Sequence, residues 1–103
     1  MVKDVYLISA RFPREEVYGL TAQMRRAAVS IPSNIAEGAA RTGTKEFLQF
    51  LSIARGSLSE LETQLLIAKE LGYVGDENGL AERIDRVFGL VGGLMNSLRA
   101  GNA

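Results

Sequence analysis

A chain's chemistry starts from its ionisable and nucleophilic side chains, and here the two most versatile kinds are missing. The 103 residues contain no cysteine and no histidine. Without a thiol there is no disulfide, no thiolate nucleophile and no thiolate metal ligand. Without an imidazole the commonest general base and metal ligand are gone. Ser52, Ser57 and Ser59 therefore have no histidine to activate them. Glu60 and Glu62 are close in the chain, but on a helix they point to different sides, so neither an acid dyad nor a di-metal cage follows. The expectation is a protein that is not an enzyme and holds no cofactor or metal. Binding chemistry remains. Arg25, Arg26, Arg41, Lys45 and Arg55 are the candidate nucleic-acid contacts, opposed between residues 17 and 55 only by Glu37 and Glu46. Phosphate-backbone binding needs several cations on one face, because affinity comes from released counterions. Helical spacing spreads these five around their helices, so a solvated or ion-paired surface is the competing reading.

Three further patterns could carry contacts. Arg26, Ser30, Ser33 and Glu37 form a stripe expected opposite the apolar seam of its helix, either a plain polar face or a contact between subunits. Arg55, Ser59 and Glu62 border the seam of the next helix and could pair with a neighbour. Gly89, Gly93 and Asn96, continued by Ala100, make a line of small residues on the last helix. Each glycine inside a helix costs roughly 1 kcal/mol relative to alanine. With Gly92 there are three, a cost that close approach of another helix would offset. This line is the candidate oligomer interface. Its spacing is not a membrane signal, because Arg83, Asp85, Arg86 and Arg99 bracket it.

The elements that must position these residues are helices. Phe47, Leu51, Ala54, Leu58, Leu61, Leu65 and Ala68 recur in alternating steps of four and three. So do Leu80, Ile84, Val87, Val91, Leu94 and Leu98. Val17, Leu20, Met24, Ala27, Ile31 and Ile35 keep the rhythm across Pro32, and Val5, Ile8 and Phe12 open the chain. Strand-like alternation is absent. Phe12-Pro13 is expected to end the first helix, with Pro13 beginning the second. A break between Gly38 and Gly43 follows, then Thr44 as N-cap of a third helix near 44–71. Gly72 and Gly75 should stop that helix, with Asp76 capping the fourth and Glu77 at its positive end. Pro32 removes a backbone bond and should kink the second helix, with Asn34 placed to satisfy the groups it frees.

Facing positions can be checked by adding residue numbers, which stay constant across an antiparallel pair. Pairs from Leu65/Ile84 to Leu51/Leu98 give 148 or 149, and pairs from Leu20/Leu65 to Ile35/Leu51 give 85 or 86. Two seams in step imply one all-α domain over residues 1–103, an antiparallel up-down-up-down four-helix bundle with a short first helix and a Pro-kinked second. The first helix covers only the part of the second nearest the first turn. The far end, around Ile31, Ile35 and Phe47, is then either open or covered by another subunit.

Several stretches are distinctive: Tyr18 through Gly38, including Met24-Arg25-Arg26-Ala27-Ala28-Val29-Ser30-Ile31-Pro32-Ser33-Asn34-Ile35-Ala36-Glu37-Gly38; Glu46-Phe47; Phe50 through Leu58; and Glu60-Leu61-Glu62-Thr63-Gln64-Leu65. Together they resemble the four-helix-bundle family named for proteins encoded within intervening sequences of bacterial 23S rRNA genes. The likeness spans about residues 4–98. Accessory proteins of diversity-generating retroelements look like relatives of that family. The resemblance implies a homo-oligomer, a ring with a homopentamer the usual form. In the retroelement relatives it implies association with a reverse transcriptase and, on a basic surface, with DNA or RNA. Either nucleic-acid binding or a purely protein–protein adaptor or scaffold role fits these expectations.

Net charge does not separate them. Twelve basic and twelve acidic side chains cancel, although residues 1–55 carry about +3 and residues 56–103 about −3. The opening Met1–Ala10 is too brief for a signal-peptide core, and no stretch reaches membrane-span length. The expected location is the cytoplasm, with no membrane partner.

Overall fold

A computed structural model describes residues 1–76 and 79–101. Among them the chain forms four α-helices and no strand: α1 (Val2–Ser9), α2 (Leu20–Ala39), α3 (Thr44–Glu70) and α4 (Leu80–Gly101), with one 3₁₀ turn, Arg14–Glu16, between α1 and α2. No helix is long and apolar enough to cross a membrane. The 27 residues of α3 span roughly 40 Å at 1.5 Å per residue and run most of the 48 Å length of the molecule. The α2–α3 pairing is the most extensive, followed by α3–α4 and α1–α2, which is packing consistent with a bundle.

The α3 seam is buried as its spacing predicts. Leu51, Ala54, Leu58, Leu61, Leu65 and Ala68 are all shielded, while Phe47 at the far end is only partly covered. Ile35, near the same end of α2, is likewise only half-buried. Val5 and Phe12 from the N-terminal segment, Met24 and Ile31 from α2, and Leu80 and Ile84 from α4 complete the core. Two seam positions differ from expectation. Leu94 is 38% exposed, and Met95 occupies the buried site at 1%. Val17 is 48% exposed because it lies outside α2.

The helix ends explain the rest. Pro13 does not begin α2. It precedes the 3₁₀ turn with an extended backbone, and α2 starts only at Leu20, whose N–H donates to Glu16 Oε1 at 3.2 Å. The second break falls between Gly38 and Gly43 as expected, after α2 ends at Ala39 and before α3 begins at Thr44. Gly38 is inside α2, where the ring and Cβ of Phe47 and Phe50 come so close that a Cβ at position 38 would lie 2.6 Å from Phe50 Cβ. Gly43, not Thr44, is the N-cap residue of α3. At the other end Gly72 adopts φ +76°, its N–H donates to Lys69 O at 3.0 Å, and Tyr73 N–H donates to Ala68 O at 2.9 Å. This is the paired-bond helix stop that glycine permits. Asp76 does not cap α4, which begins four residues later. Its carboxylate lies 3.6 Å from Lys69 Nζ instead. Glu77 lies outside the described residues.

Candidate functional site

The five candidate cations do not converge. Arg25, half-buried, turns toward α1. Its Nε donates to Ser9 Oγ at 2.9 Å, its Nη2 donates to Tyr6 O at 3.3 Å, and its guanidinium lies 4.6 Å from the Tyr6 ring centre. Arg26, exposed, leaves the opposite flank of α2 and borders a shallow groove against α3, beside Gln23, Ser59 and Glu60. Arg41 is taken up by Glu37 at 2.9 Å and stacks 5.1 Å from the Phe50 ring. Lys45 and Arg55 are exposed on α3 and have no ion-pair partner among the described residues. Arg26, Lys45 and Arg55 are thus the cations left to solvent, and Arg25 and Arg41 are anchored. An exposed pair such as Arg41–Glu37 contributes little to stability, about 0–1 kcal/mol.

The polar stripe on α2 is an outer face except at Ser30. Ser30 is half-buried, and its hydroxyl shares a 2.9 Å hydrogen bond with Ser57 on α3. Asn34 Nδ2 donates to both Ser30 O, at 2.8 Å, and Ser30 Oγ, at 2.9 Å. Asn34 therefore satisfies a carbonyl of the turn around Pro32, although the carbonyl deprived by the proline's missing N–H is that of Ala28. Arg26, Ser33 and Glu37 remain exposed. Ser59 and Glu62 are exposed on α3 as expected.

On α4 the small-residue line faces open space. A Cβ at Gly89, Gly92 or Gly93 would meet nothing within 4 Å, and the same holds for Gly56 on α3. Asn96 and Ala100 are exposed beside it, as are Leu90 at 67% and Leu94. Among the described residues no helix uses the close approach that the glycines offer.

Three polar residues missed by periodicity are buried: Ser9, Thr21 and Gln64. Gln64 Nε2 donates to Glu60 Oε1 at 3.3 Å, which leaves its own Oε1 buried without a partner among the described residues. Ser9 lies four residues after the core position Val5, and Thr21 directly follows Leu20, so helical spacing could have flagged the first. At the closed end of the molecule Glu16 joins two connections. Its Oε1 caps α2, while its Oε2 accepts from the Tyr73 hydroxyl at 2.9 Å. That hydrogen bond, with burial and the negative charges of Glu16 and Glu15, raises the Tyr73 phenol above its usual value. Tyr73 also packs 5.3 Å from the Phe12 ring centre.

Among the described residues no group of three or more Asp or Glu could hold a metal ion. The arrangement offers surfaces for contact. The family described as 23S rRNA-intervening sequence protein matches residues 1–92. No curated protein matches the chain.

Proposed function

The chain belongs to the 23S rRNA-intervening sequence protein family, and from that premise we propose that it acts without catalysis, as a helical scaffold assembled from several copies of itself. The observation that carries this reading is the α4 face. Glycines that cost helix stability stand there with no neighbour among the described residues of their own chain, beside the exposed Leu90 and Leu94. A second copy covering that face would remove apolar surface from water and use the room the glycines leave. A ring, with five subunits as the expectation, follows the family resemblance. The helices in this reading run up-down-up-down. The Ser30–Ser57 bond, the closeness of Gly38 to Phe50 and the Glu16–Tyr73 bond support an antiparallel α2–α3 pair. A bend of α2 at Pro32 belongs to the same reading, supported by the side-chain bonding of Asn34. Light scattering on the pure protein tests the assembly. A discrete oligomer whose mass falls when Gly93→Leu is introduced is the expected result, and a monomer at tens of micromolar overturns it.

Nucleic-acid binding is the second reading, favoured by the exposed Arg26, Lys45 and Arg55, which have no ion-pair partner among the described residues. A ring would repeat that sparse patch, and linked weak contacts gain from high effective concentration. Binding would then lack sequence preference and fall steeply with salt. Arg26→Glu is the cleaner probe, since Arg25→Glu would also break the contacts to Ser9 and Tyr6. Retention of neither DNA nor RNA at low salt by the intact oligomer leaves the scaffold, working as an adaptor for a protein such as a reverse transcriptase, as the sole role.

A further inference from the structure

We propose that the cleft where α1, the 3₁₀ turn and the first turn of α2 meet is a binding site for a phosphate-class oxyanion, a role that goes beyond the scaffold reading and does not depend on it. The cleft encloses ≈ 330 Å³ and is lined by Ser9, Arg14, Thr21 and Arg25 together with apolar groups that include Phe12 and Val17. Arg25 is held in place by neutral acceptors alone, the Ser9 hydroxyl and the Tyr6 carbonyl, and by the Tyr6 ring. Neither Arg25 nor Arg14 has a carboxylate partner among the described residues. A fixed, half-buried guanidinium without a counter-charge is an uncompensated cation, and its remaining N–H groups form a fork suited to oxyanions.

Thr21 supplies the independent observation. The residue is 95% buried, being 5% exposed, its side chain has no hydrogen-bond partner among the described residues, and it borders the cleft. The hydroxyl is not sealed from solvent, so a ligand oxygen in the cleft could bond to it. The same turn adds backbone donors. Leu20 N–H is taken by Glu16 and Gln23 N–H by Gly19 O at 3.0 Å, which leaves the N–H groups of Thr21 and Ala22 without an acceptor among the described residues. These lie at the positive end of a 20-residue helix. Glu16, the nearest acid by sequence, spends one carboxylate oxygen on Leu20 and the other on Tyr73. Two guanidinium groups, a hydroxyl and a helix N-terminus together match a tetrahedral oxyanion with several acceptor oxygens, either a free or terminal phosphate or a phosphodiester of a nucleic-acid backbone.

The test is an NMR titration of the full-length protein with inorganic phosphate, and in parallel with dimethyl phosphate, against chloride at matched ionic strength. The expected result is saturable shifts centred on the amides of Thr21 and Ala22 and on the Arg14 and Arg25 Nε–H groups. Thr21→Val keeps the packed shape and removes the hydroxyl. It should weaken phosphate binding about tenfold, the scale of a hydrogen bond to a charged group, and Arg14→Gln should weaken it similarly from an exposed position. Saturation by inorganic phosphate alone assigns the site to free or terminal phosphate, and saturation by both assigns it to the diester as well. Shifts that never saturate, or that both variants leave unchanged, overturn the proposal. Because the readout is local and independent of subunit number, its failure is distinct from failure of the assembly.

Discussion

Where the α4 seam runs is decided by a pair of neighbouring substitutions, Met95→Ala and Leu94→Ala. Heptad spacing places Leu94 inward, whereas in the structure Met95 is the buried residue at 1% exposure and Leu94 remains 38% exposed. Truncating a fully buried methionine removes its transfer energy and leaves a cavity, about 2–5 kcal/mol in total. Truncating Leu94 loses only part of a leucine's burial and opens no enclosed hole, so it should cost about 1 kcal/mol or less. In a chain this small each kcal/mol moves the midpoint by roughly 4–8 °C, so Met95→Ala should melt at least about 8 °C below the parent. Urea denaturation of both variants, followed by circular dichroism at two protein concentrations, measures the difference. The second concentration matters because a subunit contact over Leu94 would add a concentration-dependent contribution. Leu94→Ala costing as much as Met95→Ala, independent of concentration, would refute the placement of the seam.

Leu58, fully buried in the α3 seam, should lose about 2–5 kcal/mol as Leu58→Ala, and a melt indistinguishable from the parent's would contradict its central position. Two glycines should respond with opposite signs in the same assay. Gly38→Ala forces a Cβ against Phe50 and Phe47 and should destabilise, since overpacking at about 1–3 kcal/mol outweighs a propensity gain of about 1 kcal/mol. Gly93→Ala meets open space and should stabilise the single chain by about 0.5–1 kcal/mol. The Tyr73 phenol donates to Glu16, which raises its folded pKa above the usual phenol value. Its contribution is therefore complete below that usual value and drains away as pH climbs through the raised one. Stability measured from neutral pH upward should fall there in the parent, and Tyr73→Phe should flatten that fall.

Amino-acid spacing by itself determined the four helices and most of the core, because α3 is paired along both its neighbours and its inward positions are repeated at close to 3.5 residues. Leu51, Ala54, Leu58, Leu61, Leu65 and Ala68 were readable for that reason. On α4 the same rule drifts. A straight helix has 3.6 residues per turn, so Met95, eleven residues after the buried Ile84, lies only about 20° from it around the axis, whereas Leu94 lies about 80° away on the other side. The α2 boundary was obscured because Pro13 is equally at home before a 3₁₀ turn, and only the carboxylate of Glu16 reveals where the first N–H of α2 is capped. The polar contacts between distant residues were out of reach. Arg25 meets Ser9 across 16 positions, Ser30 meets Ser57 across 27, and Glu16 meets Tyr73 across 57. Whether an arginine is left to solvent or held by a neighbouring helix, and whether a serine on a polar stripe faces outward, depends on which helix lies beside it, and only the tertiary packing decides that.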